Sequence, residues 1–164
     1  MSAEPLPSSS QDRLGALATA SRTGRGASLH ALHLLEYALS APAPRRHRTW
    51  VHRVQVAVDT LGRALQEQLR NDDESLGLLS EVALSRPSYA VRVQRLRQEL
   101  VDLTIALASL REQIEPDPEF GVDPNDIRDR LATITRRFRQ HRAREADLIY
   151  EATGIDLDND SSSP

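Results

Sequence analysis

Between Tyr89 and Ile114 an apolar side chain falls at every third or fourth position: Tyr89, Val93, Leu96, Leu100, Leu103, Leu107, Leu110 and Ile114. That spacing fits a helix of about 3.6 residues per turn and does not fit a strand, whose faces alternate every second residue. No polar residue breaks the stripe. A helix with one wholly apolar stripe needs other helices to cover it, because most helical stability in a protein comes from packing that stripe.

The chain supplies those partners. Residues 27–40 form a clear helical pattern that Pro42 and Pro44 end. A second pattern starts near Arg46 and carries Trp50, Val54, Ala57, Val58, Leu61 and Leu65 on one face. Residues 75–85 extend or restart this helix, and Pro87 suits the first turn of the next one. After the turn-rich stretch 115–126, with Asp123 as N-cap and Pro124 behind it, a last helix reaches about Thr153, where Gly154 caps it. Its face holds Ile127, Leu131, Ile134, Phe138, Ile149 and Ala152. Before residue 27 only a short helical pattern appears (Leu14, Leu17, Ala18), and Gly24 and Gly26 are expected to weaken or bend it. The expected organisation is a flexible segment 1–25, a helical domain 26–155 and a disordered acidic tail 156–164. Four helices with short connections predict an all-α fold, an antiparallel up-down-up-down four-helix bundle.

Composition narrows the chemistry. The 164 residues contain no cysteine, which excludes disulfides, thiolate zinc sites, iron–sulfur clusters and a cysteine nucleophile. Formal net charge is -3, and all 21 basic residues are arginine. No nucleic-acid partner is expected at that charge, and the arginines at 136–144 spread around their helix. No apolar run approaches the roughly 18 residues that span a membrane. A cytoplasmic protein without catalytic motifs is expected, with no membrane partner and an unidentified protein as the partner to look for.

Two polar residues depart from the pattern. His141 and Glu145, four positions apart, fall on the apolar face of the last helix. An imidazole and a carboxylate facing inward need a partner or a metal, because burying them alone is costly. Gln68 and Asp72 likewise continue the apolar face of the second helix. His33 and Glu36 are counted as inward-facing near one end, satisfying each other or Tyr37, and His52 as outward-facing. The His141–Glu145 pair reads either as a hydrogen-bonded polar pair, with Gln68 as partner, or as a weak metal site. In the first reading Leu should replace Glu145 without loss.

The segment HRAREADLIYEATGIDL resembles the last helix of the hemerythrin-like, or HHE cation-binding, family. The SAPAP connection before Trp50 and the runs NDDESLGLLSEV and VQRLRQEL are similar as well. The resemblance spans most of residues 28–157 and implies a four-helix bundle around a non-haem iron pair held by His and carboxylate ligands. Carried over by position, it implies His141 and Glu145 as metal ligands, with Asp72 as a third. The corresponding His positions hold Gln68 and Leu100. Counting from the first connection sets Gln68 level with residues 18–22, which contain no His, and leaves His30 and His33 more than a turn away. The site is therefore expected to be largely lost. No cofactor is expected, iron being the one candidate, and the function implied is a binding or regulatory module. The alternative is an iron protein that binds or senses oxygen or nitric oxide.

Overall fold

The computed structural model describes residues 10–42, 47–73, 77–114 and 123–155. All regular structure among them is helical: α1 (Ser10–Ser40), α2 (His47–Asp73), α3 (Leu78–Ser85), a short 3-10 turn (Pro87–Tyr89), α4 (Ala90–Gln113) and α5 (Pro124–Thr153). The all-α expectation therefore holds. No helix among the described residues is long and apolar enough to cross a membrane.

The four long helices run against one another in alternating directions. Trp50 Nε1 donates to Ala38 O at one end of the α1–α2 pair, and Ser28 meets Gln68 well along it. Gln55 reaches Ile114 O while Arg97 reaches Asp72 O, so α2 and α4 are antiparallel too. Arg130 with Gln113 and Arg92 with Glu151 fix the same relation for α4 and α5. Arg128 on α5 donates to Leu39 O and Ala41 O, which brings the start of α5 to the end of α1.

The stripes read from sequence are the ones buried. From Val93 to Ile114 every member of the α4 stripe is buried, with Leu100 and Leu107 at 1 % exposure or less. The ends of α5 also form as expected. The Asp123 side chain accepts from Asn125 N at 2.9 Å, Pro124 occupies the first turn, and Gly154 closes the helix with φ 74°.

The beginning of the domain differs from expectation. Gly24 and Gly26 do not break α1, which runs unbroken from Ser10. Residues 10–25, expected to carry only a short helical pattern within a flexible segment, are helical throughout, and Ala18 is buried among α3, α4 and α5 side chains. Leu14 and Leu17 pack beside it, and Arg13 pairs with Glu81 of α3 at 3.2 Å. Partners from α3 outweigh the cost of two helical glycines, about 1 kcal/mol each. The expectations for residues 1–9 and 156–164 lie outside the described residues.

The α2–α3 passage restarts the helix after an interruption, within the range expected. Gly77 is required there by space: a Cβ would sit 2.8 Å from Asn71 O, backbone against side chain. Arg97 and Ser80 close the corner by donating to Asp72 O at 3.1 and 3.3 Å. Gly77→Ala should therefore lower stability by about 1–3 kcal/mol, the usual cost of overpacking. Urea denaturation of the two proteins measures it; unchanged midpoints would contradict this geometry.

Candidate functional site

Two apolar clusters fill the interior. The larger joins α1, α2, α4 and α5 around Leu32, Leu61, Leu100, Leu107 and Phe138. The smaller gathers Ala18, Leu78, Leu79, Val82, Val93, Leu96, Leu148, Ile149 and Ala152. Along α5 the residues between them are His141 and Glu145, and along α1 they are Arg25 and Ser28. Together with Gln68 these side chains make a buried polar layer; Arg25 is 4 % exposed, Ser28 0 %, His141 1 % and Glu145 3 %.

The layer is organised around the Glu145 carboxylate. Its Oε2 accepts from Arg25 Nη1 in a buried ion pair. Its Oε1 lies 3.5 Å from Gln68 Nε2. Ser28 Oγ, 3.3 Å from Gln68 Oε1 and 3.0 Å from Gly24 O, links the amide back to α1. The Arg25 guanidinium also lies 3.5 Å from Arg142 O. A single cation thus bridges α1 to α5, and Gln68 ties in α2.

His141 stands beside this network. Its ring stacks on Phe138 with centroids 6.3 Å apart. Neither ring nitrogen has a hydrogen-bond partner among the described residues, and Nδ1 lies 3.5 Å from Glu99 Oε2. Glu99 is turned outward, accepting from Arg144 Nη1 at 3.0 Å. Burial pushes the imidazole below its ordinary pKa, against the pull of the Glu145 and Glu99 carboxylates. The Glu99 contact also sets the level of α4: Leu100 follows at the layer and contributes only apolar surface.

The inward placement of His141 and Glu145 agrees with the sequence reading, and so does Gln68 as the hydrogen-bond partner of Glu145. The implied ligand trio is not assembled. Among the described residues no group of three or more His, Cys, Asp or Glu side chains is placed to hold a metal ion. Asp72 lies instead on the wall of a cleft of about 240 Å³ between α1, α2 and α3, which reaches inward to Gln68 and Glu145. The donor set does not fit an iron pair, because Arg25 holds the carboxylate, Gln68 offers an amide and Leu100 offers nothing.

The level count along α1 needs correction. The residues that meet Gln68 are Ser28 and, through Glu145, Arg25, rather than residues 18–22 alone. Helical side chains lean toward their own N-terminus. Gln68 therefore leans toward the α1–α2 connection and Ser28 away from it, which accounts for about a turn of the offset between Ser28 and the counted level. Leu17, Ala20, Ser21 and Gly24 do line the outer cleft. His30 and His33 are exposed. Glu36, expected inward with His33, accepts from Arg139 at 2.7 Å near the surface, because the buried stripe passes through Leu32, Leu35 and Ala38. His52 is exposed as expected.

Arg25 is the residue that sequence reasoning missed. Its signal was present: Leu14, Ala18, Ser21, Arg25, Ser28, Leu32 and Leu35 alternate by three and four without a break. The weakening or bend expected at Gly24 and Gly26 hid that continuity. No family model, curated protein or solved structure matches the chain.

Two outcomes follow from the layer. Glu145→Leu, expected from sequence to be tolerated, strips a buried guanidinium of its carboxylate and should cost about 3–5 kcal/mol. Arg25→Met should cost a similar amount, while Arg25→Met combined with Glu145→Leu should recover most of the loss. A denaturant double-mutant cycle reads this; additive single losses would show that the two residues are uncoupled. The second outcome concerns pH. The folded state lowers the His141 pKa, so between that value and the unfolded value near 6.5 the unfolded chain binds more protons. The stability gained from a neutral His141 is full above about pH 6.5 and is lost as pH falls toward the folded value. His141→Leu should flatten that part of the stability–pH curve; an unchanged slope would refute the assignment.

Proposed function

We propose that this chain is a metal-independent binding or regulatory module built on a hemerythrin-like, up-down-up-down four-helix bundle. The observation that carries the reading is the Arg25–Glu145 pair. In a bundle that holds a metal, inward carboxylates face a bound cation. Here the carboxylate faces a cation that belongs to the chain. A permanent guanidinium cannot be deprotonated and repels an incoming metal ion at the same spot. The layer is thereby neutralised without a ligand, and the apolar stripes on either side of it are continuous enough to hold the helices together.

The resemblance in sequence supports the bundle topology, and the alternating directions of the four long helices support it further. Among the described residues the Ser28 hydroxyl is engaged by Gly24 O and Gln68 and the Glu145 carboxylate by Arg25, which favours the module reading over an enzyme. An unidentified protein is the partner class proposed, in the cytoplasm. The iron-sensor alternative has one observation in its favour, the two ring nitrogens of buried His141 that lack a hydrogen bond.

Metal content separates the two. Protein purified from iron-supplemented cells should carry far less than one metal ion per chain and show no iron absorption bands. A chelator should leave the melting temperature unchanged within about a degree. Stoichiometric iron, or a drop of several degrees on chelation, would overturn the module reading in favour of the sensor.

A further inference from the structure

The two halves of α1 are held very differently. From Asp12 to Gly24 one residue is buried, Ala18, with Leu14 and Leu17 partly covered. From Ala27 to Ser40 the buried residues are Ser28, Ala31, Leu32, Leu35 and Ala38, and all but Ser28 belong to the larger apolar cluster. The N-terminal half is also a poor helix on its own account. It contains Gly15 and ends at Gly24 and Gly26, and at none of the three would an added Cβ meet an atom within 4 Å. No close approach therefore requires these glycines, and their cost in helix stability is uncompensated by packing. Thr19, Thr23 and Ser28 each bond back to the carbonyl four residues earlier, a habit that weakens and bends helices. Immediately after Gly24, the buried Arg25–Glu145 pair pins α1 to α5.

We propose that residues 12–23 of α1 open as a unit about Gly24–Gly26, while Arg25 and residues 27–40 stay seated. In the closed state this segment covers the smaller cluster through Ala18, Leu14 and Leu17 and is tied to α3 by Arg13 and Glu81. Opening uncovers Leu78, Leu79, Leu148 and Ile149 and widens the cleft that leads to Gln68 and Glu145. The polar layer marks the limit of the opening unit, since the larger cluster begins on its far side. This inference rests on packing and holds whatever the module binds.

Native-state hydrogen exchange on the full chain tests it, because partial opening and global unfolding separate there. Amides of 12–23 should be at least tenfold less protected than those of 29–39, with a weaker denaturant dependence because less surface is exposed. Leu107→Ala, in the larger cluster, should lower protection in α4 by roughly thirtyfold or more. It should leave 12–23 unchanged. Ile127→Val gives the same comparison with a smaller shift if Leu107→Ala fails to fold. Gly24→Ala with Gly26→Ala should raise protection in 12–23 by about tenfold or more. Parallel loss of protection in 12–23 and α4 on cutting the larger cluster would show one cooperative unit and overturn the proposal. An unchanged 12–23 in the double alanine variant would overturn the hinge.

Discussion

The interior depends on one charge being answered. Glu145 is buried in α5 at a level where Leu or Val would pack. A lone carboxylate there would cost several kcal/mol or take up a proton. Arg25 answers the carboxylate with a cation, and to do so it must itself be buried, at a position where α1 would otherwise carry an apolar residue. The pair therefore specifies which turn of α1 faces which turn of α5. Gln68 and Ser28 extend the same specification to α2. Sliding α1 by a turn would leave two charges without partners, whereas sliding apolar stripes past each other costs far less. Stability comes from the clusters on either side, and register comes from the layer.

The helices were legible in the sequence because their signals are local. The three-and-four spacing of α4, the Asp123–Pro124 start of α5 and the Gly154 end need only neighbouring residues to operate. What failed was long-range. Gly24 and Gly26 read as a weak point or bend because propensity is local, and nothing nearby in sequence reveals that α3 will cover Leu14 and Ala18. That error then hid Arg25, since a residue in a flexible segment is not considered for the core. The level of Gln68 was misjudged for a different reason. Counting rises along two axes ignores the tilt of side chains toward each helix N-terminus, and in an antiparallel pair the two tilts add.

The site was half legible. His141, Glu145 and Gln68 announced themselves as polar residues on apolar faces, and all three are buried. Asp72 obeyed the same count but lies on a cleft wall, because α2 ends one residue later and the face opens to the surface there. Glu99 gave no signal, being adjacent to the stripe rather than on it. It matters only because a long side chain can reach sideways to His141 while its other oxygen takes Arg144.

An inward carboxylate can be answered by a metal, a proton or a cationic side chain, and the three leave different neighbours. A metal needs several donors converging from different helices, since one carboxylate does not hold it. A shared proton needs a second acid close by. A guanidinium needs only acceptors around its fork, and the Glu145 carboxylate and the Arg142 carbonyl lie there. Leucine at 100 and an amide at 68 are poor neighbours for a metal and good ones for an ion pair, because they add no charge to a layer that is already neutral. His141 fits the same logic: beside a neutral pair and against Phe138, burial keeps its ring uncharged, so it adds polarity to the layer without adding a charge that would need an answer.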